Sequence, residues 1–470
     1  MVQRFPLMSR GGDPNLSTTI SSLDDSDLLS FYHSKLSIEQ RCELYVPNKD
    51  SINQNRQIDH VSVENYIATV NTAFPLFQSE SLLERLENGK IYRTLASGIY
   101  AISAKLTGNH SFYGIIDIDT ALTGLLGSAT VEVEGVVDPQ ALNQWQTACL
   151  LSWYGLHQYP GKGEALHIAV LIRKAYQYGL HQIDSDDNRA SFGWDFLSEE
   201  MLEAWRHVWW CLYFLDCYVS FSNAIPHQVE SQSQRTALCL DICSPERILY
   251  SREKMFLPSD PSGLWKMVQE IASAKERKGF SMHMAISTLL KDVLTTNRLH
   301  KQNPCQSNRD RMCALEDHLV ALQLALPTNY LRCTRDLLGG ESEARYHSRL
   351  LILLKMSSMR LVLRLPYRLL DTDVWEARWE ESLDICYRMV SLLQNWDIQH
   401  LRAVDPALCF VGISLLVCLH LHSLSSGVSH PALLEQLSRR KDIVRLFLQQ
   451  YAKFWALPRL FLGNWLIYLD

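Results

Sequence analysis

The fold is decided by residues 198–221, which read SEEMLEAWRHVWWCLYFLDCYVSF. Apolar residues in this stretch recur at alternating spacings of four and three, which is the repeat of one face of an α-helix. Two such stripes are present, formed by Met201, Trp205, Val208, Leu212, Leu215 and Val219, and by Trp210, Phe214, Cys217 and Phe221. A helix that is apolar on more than one side is buried rather than lying on a surface. The stretch therefore predicts the central helix of a helical domain.

The charges of this stretch support the helix and single out one acid. Ser198 stands where an N-cap residue is expected, and Glu199 and Glu200 place negative charge at the positive end of the helix dipole. Between residues 208 and 221 the one carboxylate is Asp216. A carboxylate in an apolar run needs a base or hydrogen-bond donors beside it. We therefore predict that Asp216 is structural and paired, and we keep ligand binding as the alternative.

Helical periodicity continues along most of the chain. Residues 61–470 carry repeated apolar positions at helical spacing, whereas residues 1–60 are rich in Ser, Asp, Asn and Gln. Residues 130–137 alternate like a strand, but they have no partner run nearby, and a lone strand is not stable. Residues 222–262 form a long irregular connection that is either functional or mobile. The predicted class is all-α, with a largely disordered segment over 1–60 and one large helical domain over 61–470.

Two predicted helices end in the same five residues. The letters Tyr-Gly-Leu-His-Gln occur at 154–158 and again at 178–182. Glycine fits the left-handed residue that closes a helix, so we predict that Gly155 and Gly179 end these two helices. The Pro-Gly-Lys-Gly segment at 160–163 joins them, which favours an antiparallel helical hairpin.

Composition limits the class of protein and its compartment. The 470 residues carry a net charge of −6, which gives no general attraction to nucleic acid or to an acidic membrane. The N-terminus has no apolar run long enough for a secretory signal, and the longest apolar stretch, 407–419, is too short to span a bilayer. The 12 cysteines are scattered and lie mostly in apolar runs. This usage indicates a reduced, intracellular protein.

Three pairs of residues that can bind metals stand close together in the sequence. They are Cys211 and Cys217, Cys239 and Cys243, and Cys418 and His422. None of the pairs forms the short-spaced double cluster that a closed tetrahedral zinc site needs. We therefore predict buried or solvated side chains at these positions, no metal site and no cofactor.

One catalytic pattern occurs, at residues 184–187. The letters Asp-Ser-Asp-Asp match the Asp-x-Asp-Asp of cyclases that protonate an alkene or an epoxide, but such an acid needs a dry, aromatic-walled cavity. Here the pattern lies in a polar segment beside Asn188 and Arg189, so we interpret it as a solvated turn. The sequence has no Gly-x-Ser-x-Gly elbow, no Gly-x-Gly-x-x-Gly and no Walker loop. No catalytic residue is predicted.

The central helix also carries a resemblance to a protein family. The run from Glu203 through Arg206 and the Trp-Trp pair to Asp216 resembles the middle homology region of fungal-specific transcription factors. In that family an acid and basic residues precede Trp-Trp-x-Leu-Tyr-x-Leu-Asp-Arg. Residues 169–181 are similar to the family's Ala-x-Arg-x-Ala-x-x-x-Gly-Leu-His helix end.

The resemblance extends from about residue 61 to near the C-terminus. Residues 71–77 are similar to the family's entry segment, and His347 and residues 363–366 are similar to its later His and its Leu-His-Arg-Pro turn. Two positions depart from the family pattern. The Arg that follows the Asp is replaced by Cys217, and Gly-Arg-Pro is replaced by Ala-Ile-Pro at 224–226.

The resemblance implies a regulatory domain without its usual DNA-reading module. Most members carry a six-cysteine binuclear zinc cluster at the N-terminus, whereas the first 148 residues here contain only Cys42. We therefore expect no direct specific DNA binding. From the net charge and the short apolar stretch we also expect no membrane association. The matching family position makes Arg173 the first candidate for the partner of Asp216 in a structural ion pair.

The function that the resemblance implies is transcription regulation in the nucleus, with the cytoplasm as the alternative compartment. The partners would be a DNA-binding factor or a second copy of the chain, together with a small-molecule effector, and the targets would be metabolic or biosynthetic genes. The alternative is an enzyme or a small-molecule-binding protein of a biosynthetic pathway on the same scaffold. We favour transcription regulation over an enzymatic function.

Overall fold

The computed structural model describes most of the chain after residue 51. The described residues are 52–108, 118–132, 135–138, 140–159, 161–223, 225–239, 254–273, 279–336, 340–366, 372–397, 407–426 and 431–469. Residues 1–51, which hold most of the segment predicted to be disordered, lie outside them. The first described helix begins at Ile52, so helical structure starts before the boundary predicted at residue 61.

The described residues form 16 α-helices and no strand, which confirms the predicted all-α class. The first eight helices are α1 (Ile52–Ala73), α2 (Ser79–Glu87), α3 (Arg93–Thr107), α4 (Ile118–Ser128), α5 (Ala141–Gln158), α6 (Lys162–Gln177), α7 (Arg189–Phe192) and α8 (Glu199–Asn223). The remaining helices are α9 (Leu264–Ser273), α10 (Phe280–Gln302), α11 (Gln306–Ala325), α12 (Glu343–Arg364), α13 (Thr372–Gln394), α14 (Ala407–Ser426), α15 (Pro431–Tyr451) and α16 (Ala456–Leu469).

Helix α8 is the central helix that the sequence predicts. It packs against α5 and α6 on one side and against α10 on another. The hydroxyl of Ser198 accepts a hydrogen bond from the N–H of Met201 at 3.3 Å, as expected for an N-cap. Both apolar stripes are buried except at their ends, where Met201 is exposed and Phe221 is half-buried. Burial on several faces makes α8 the element around which the other helices are placed.

Helices α5 and α6 form the predicted hairpin, but they end differently. Gly179 follows α6 with a φ of +71°, so it closes this helix in the left-handed conformation as predicted. Gly155 does not end α5, which continues to Gln158. A Cβ atom at Gly155 would collide with the carboxyl group of Glu164 on α6. Gly155 therefore leaves room for the Glu164 side chain between two packed helices and does not mark a helix end.

The long apolar stretch near the C-terminus is a core helix. Helix α14 continues beyond the apolar stretch that ends at residue 419, and Leu408–Ser425 is long and apolar enough to cross a membrane by length and composition. However, 61% of this segment is buried inside the structure, and α14 packs against α12, α13 and α15. We interpret its apolar character as the consequence of burial within the domain.

Candidate functional site

A cluster of buried charges joins the central helix to the segment after α6. Arg206 on α8 donates from Nε to Oδ2 of Asp184 at 2.9 Å and from Nη2 to Oδ1 at 2.7 Å. The side chain of Asp184 is 0% exposed and that of Arg206 is 4% exposed. Two parallel hydrogen bonds from a planar guanidinium fix the orientation of the carboxylate. This pair therefore anchors the segment to α8.

Further donors surround the same carboxylate. Nζ of Lys254 lies 2.8 Å from Oδ1 of Asp184, and the N–H of Ala237 donates to Oδ2 at 2.9 Å. Burial by itself would raise the pKa of Asp184, but the hydrogen bonds and charge of Arg206, with those of Lys254 and Ala237, lower it to about 2. Asp184 is ionised at neutral pH, so it cannot act as the proton donor of a cyclase.

The buried pair corrects the interpretation of residues 184–187 as a solvated turn. Asp186 and Asp187 are exposed as expected, whereas Asp184 is buried. The physical reason is tertiary, because the groups that satisfy Asp184 come from α8 and from the connection between α8 and α9. The polar residues that follow in the sequence, Asn188 and Arg189, did not indicate that Asp184 has these partners.

Arg206 also neutralises two acids on its own helix. Its Nη1 donates to Oε2 of Glu203 at 2.8 Å and to Oε1 of Glu199 at 2.7 Å. Burial opposes the charge of Arg206, but the hydrogen bonds and charges of Asp184 and Glu203 raise its pKa above the ordinary value. One guanidinium therefore balances several carboxylates, two of which are buried with it.

The connection after α8 is an integral part of the domain over residues 225–239. The N–H of Arg235 donates to the carbonyl of His181 at 2.7 Å, and the N–H of Asp184 donates to the carbonyl of Arg235 at 3.1 Å. Nε1 of Trp210 on α8 donates to the carbonyl of Ala237 at 2.7 Å. These bonds hold the segment against α8 and the end of α6, where it completes the charge cluster.

Asp216 is buried and binds the same connection. Its Oδ1 accepts a hydrogen bond from the N–H of Gln228 at 3.0 Å, and its Oδ2 accepts one from the N–H of Val229 at 3.0 Å. Nδ1 of His227 lies 3.6 Å from Oδ2, and burial lowers the pKa of His227 despite the nearby carboxylate. Backbone donors therefore satisfy this carboxylate, and its structural role stays a prediction.

The predicted ion pair between Asp216 and Arg173 is not formed. Arg173 is exposed on α6, and the described groups that contact Asp216 belong to residues 227–229. Two N–H groups of a turn stabilise a buried carboxylate without the cost of burying a second charged side chain. The buried acid–base pair of this region is instead the one between Asp184 and Arg206.

Three side chains that can bind a metal meet beside the charge cluster. Glu203, His207 and Cys239 are buried, and their ligand atoms lie within 4.8 Å of one another. Glu203 is already hydrogen-bonded to Arg206, and Nδ1 of His207 lies 2.7 Å from the carbonyl of Pro75. A guanidinium in contact with one of the ligands repels a second cation. The spacing of these residues in the sequence did not predict this group, because Cys239 lies next to α8 only in the folded chain.

The cysteine and histidine pairs singled out in the sequence lie in apolar surroundings where the structure describes them. Burial raises the pKa of the Cys211 thiol and raises that of Cys217 to about 12. His422 stacks on Trp379 with ring centroids 3.8 Å apart, and burial lowers its pKa to about 4. Cys243 lies outside the described residues. Such thiols are too weakly acidic to act as nucleophiles at neutral pH.

An apolar cleft lies between α8, α10, α12, α13 and α14. It spans about 730 Å³ of space free of protein atoms, part of which is open to solvent. Its lining is mainly aliphatic and aromatic, the two charged residues in it are Lys291 and Lys355, and none of its lining residues is Asp or Glu. The half-buried residues Leu290 and Leu365 form part of this lining and place the cleft near the surface. Cationic groups in an apolar cleft were not foreseen from the sequence.

The all-helical chain matches the model of one known protein family. The family model of the fungal specific transcription factor domain matches residues 68–315, which is more than half of the 470 residues. The chain therefore belongs to this family, whose domain indicates transcription regulation. Comparison with curated proteins and with solved structures gives no match.

The charge cluster lies within the residues that match the family model, whereas the cleft lies only partly within them. Helix α8, Asp184 and Arg206 all lie within 68–315, and so do the residues that α8 and α10 contribute to the cleft. His347 and residues 363–366, which resemble later family elements, lie beyond the matched residues. In the structure Nε2 of His347 accepts a hydrogen bond from the N–H of Asp397 at 3.0 Å, which joins α12 to the end of α13.

Proposed function

We propose that the chain is a nuclear transcription regulator that acts through protein partners on metabolic or biosynthetic genes. The observation that carries this proposal is the family match over residues 68–315, which spans the central helix and its charge cluster. The buried pair of Asp184 and Arg206 supports a role as a rigid scaffold, because both charges are already engaged and neither is free for chemistry.

The proposal assigns DNA reading to a partner, either a DNA-binding factor or a second copy of the chain. Residues 1–148 contain one cysteine, Cys42, whereas a binuclear zinc cluster needs six. The net charge of −6 also gives no general attraction to the phosphate backbone. We expect the purified protein to bind DNA fragments weakly, with an affinity that falls steeply as salt increases. A footprint that survives physiological salt and is lost on base substitution would overturn this part.

A tethering experiment tests the regulatory function. The full chain is fused to a heterologous DNA-binding domain in a fungal host, and reporter output is compared with that of the DNA-binding domain alone. We expect a severalfold change in output and nuclear localisation of a fluorescently tagged full chain expressed without the DNA-binding domain. The Arg206→Met variant, which removes the guanidinium shared by the buried carboxylates, should lose the effect, whereas Arg439→Met, at a side chain 78% exposed, should keep it. An unchanged reporter with a well-expressed fusion would contradict the proposal.

Binding of a small molecule is the second candidate function, and the apolar cleft favours it. Ligand pockets are typically apolar cavities with a few placed polar groups, and the cleft has this composition, with Lys291 and Lys355 as its charged groups. The enzyme alternative receives no support from Asp184, because this residue is ionised and paired.

A further inference from the structure

We propose that the cleft between α8, α10, α12, α13 and α14 binds an uncharged apolar alcohol, whose hydroxyl group pairs with the hydroxyl of Ser414. This inference names the ligand class for the second candidate function above. Any effect of the ligand on gene regulation rests on the proposed function, whereas the binding itself does not.

Lys355, one of the two charged residues of the lining, is held by the protein itself. The residue is 0% exposed. Its Nζ donates a hydrogen bond to the hydroxyl of Ser287 at 3.5 Å. The same ammonium group lies over the rings of Phe214 and Tyr218, whose centroids are 4.7 and 5.5 Å away. Hydroxyl and aromatic groups both stabilise a buried ammonium group, so Lys355 does not require an anion from a ligand.

Lys291, the other charged residue of the lining, is engaged by the connection after α8. Its Nζ donates to the carbonyl of Val229 and to the hydroxyl of Ser231, the latter at 3.2 Å. The ammonium group also lies 5.3 Å from the ring centroid of Tyr213. Lys291 therefore needs no anion from the cleft either. Two ammonium groups in the lining nevertheless repel a cationic ligand.

The charges around the cleft oppose one another at its lining. Burial raises the pKa of the Cys217 thiol, which is part of the lining, to about 12. The charges of Lys291 and Lys355 act to lower this pKa. The charges of Asp216 and Asp292 act to raise it. An anion in the cleft would meet two carboxylates as well as two ammonium groups, and it would lose its hydration without gaining a free cation. The electrostatics therefore favour an uncharged ligand.

Serine hydroxyls supply the uncharged polar groups of the lining. They belong to Ser287 on α10, Ser358 on α12 and Ser414 on α14. Ser287 accepts the hydrogen bond from Lys355, and Ser358 donates to the carbonyl of Leu354 at 2.8 Å. The half-buried Ser414 hydroxyl makes no hydrogen bond to the part of the chain that the structure describes. Because a hydroxyl is both a donor and an acceptor, a ligand hydroxyl can pair with Ser414 in either direction.

Aliphatic side chains surround these hydroxyls and define the body of the ligand. They include Leu290, Leu294, Leu361, Val362 and Val411. An apolar body gains free energy when it leaves water for such a lining. A pure hydrocarbon would cover the Ser414 hydroxyl without giving it a partner, and a buried hydroxyl without a partner is costly. The lining therefore fits an apolar molecule that carries a hydroxyl group.

Binding of octanol to the purified full chain, measured by calorimetry with octanoate as the charged analogue, tests the proposal. We expect octanol to bind at least about tenfold more tightly than octanoate, because the carboxylate loses its hydration in the cleft. Ser414→Ala should weaken octanol binding about three- to tenfold, which is the range of one hydrogen bond. Ser423→Ala, at another half-buried serine of α14 that does not line the cleft, should behave as the wild type. Ser358→Trp, which places an indole ring in the cleft, should abolish octanol binding.

A wild-type protein that binds no octanol, or that binds octanoate as tightly as octanol, would overturn the proposal whether or not the variants fold. Unchanged octanol affinity in Ser414→Ala, or in a Ser358→Trp protein that circular dichroism shows to be folded, would also overturn it. Reporter output from the tethered chain is measured in parallel without added alcohol. An active reporter without octanol binding would overturn only the ligand proposal, whereas octanol binding with an inactive reporter would overturn only the proposed function.

Discussion

Glu164 on α6 occupies the space that Gly155 leaves open on α5. A side chain at 155 would force the carboxyl group of Glu164 to move, and Glu164 is 7% exposed. The close approach of the two helices therefore places a carboxyl group where water does not reach it. Burial raises the pKa of Glu164 to about 8, so this group is mostly protonated in the folded protein at neutral pH.

This burial predicts a stability that falls with pH. Below pH 4.5, the ordinary value for glutamate, Glu164 is protonated in both states and the folded protein keeps its full stability. Between pH 4.5 and about 8 the unfolded chain releases the proton and the folded chain retains it, so the free energy of unfolding decreases as pH rises. The Glu164→Gln variant should gain stability over the wild type across this window, on the order of a few kcal/mol at most.

Thermal midpoints of the two proteins, measured from pH 5 to about 8.5, check this prediction. Glu376→Gln, at an exposed glutamate on α13, serves as the control and should follow the wild type. Parallel curves for the wild type and Glu164→Gln would show that Glu164 has the same proton affinity in both states.

Arg206 should matter more for stability than Asp184. Arg206→Met removes the guanidinium that the buried carboxylates of Asp184 and Glu203 share and leaves Asp184 with Lys254 and the N–H of Ala237, which costs about 3–5 kcal/mol. Asp184→Asn leaves Arg206 with Glu203 and Glu199, so its cost should be smaller. The double variant should be less destabilised than the sum of the two single ones. Denaturant unfolding of the three proteins measures this order, and a larger loss for Asp184→Asn would contradict it.

Asp216 and Arg173 should behave as independent residues. In a double-mutant cycle of Asp216→Leu and Arg173→Met, the two effects should add within about 0.3–0.5 kcal/mol, because the side chains do not meet. Asp216→Leu alone should cost about 1–3 kcal/mol, since it leaves the N–H groups of Gln228 and Val229 without their acceptor.

Thermal unfolding measures this cycle, and the reporter assay is run on the same variants. Asp216→Asn, which keeps one acceptor oxygen, should lie between the wild type and Asp216→Leu. An Asp216→Leu protein of wild-type stability without reporter activity would identify the carboxylate as a binding residue instead.

Glu203, His207 and Cys239 should hold no metal that folding requires. The guanidinium of Arg206 lies 2.8 Å from Oε2 of Glu203, and a divalent cation bound beside it would have to overcome that charge. Elemental analysis of the purified protein should find zinc well below one equivalent, and treatment with a chelator should leave the thermal midpoint unchanged. Stoichiometric zinc that disappears in Cys239→Ser would show that these residues form a metal site.

The all-α class and the central helix could be predicted because they depend on local periodicity. The stripes in residues 198–221 and the left-handed Gly179 are properties of the chain itself, and the structure confirms them. The family could be recognised for the same reason, since its Trp-Trp and Gly-Leu-His elements are contiguous in the sequence. The pairing of Asp216 could not be predicted, because its donors are backbone groups of an irregular connection.

What the amino-acid sequence determined by itself is which segments are helices and which faces of them are apolar. The tertiary structure decided which charges are buried together. Asp184 lies in a segment that is polar in sequence, yet it becomes buried because Arg206, Lys254 and Ala237 converge on it from distant positions. Lys355 likewise lies in a helix that the sequence predicts, and only the packing of the neighbouring helices places its ammonium group in an apolar cleft. Periodicity follows from the geometry of one helix, whereas the partner of a charge follows from contacts between elements that are far apart in the chain.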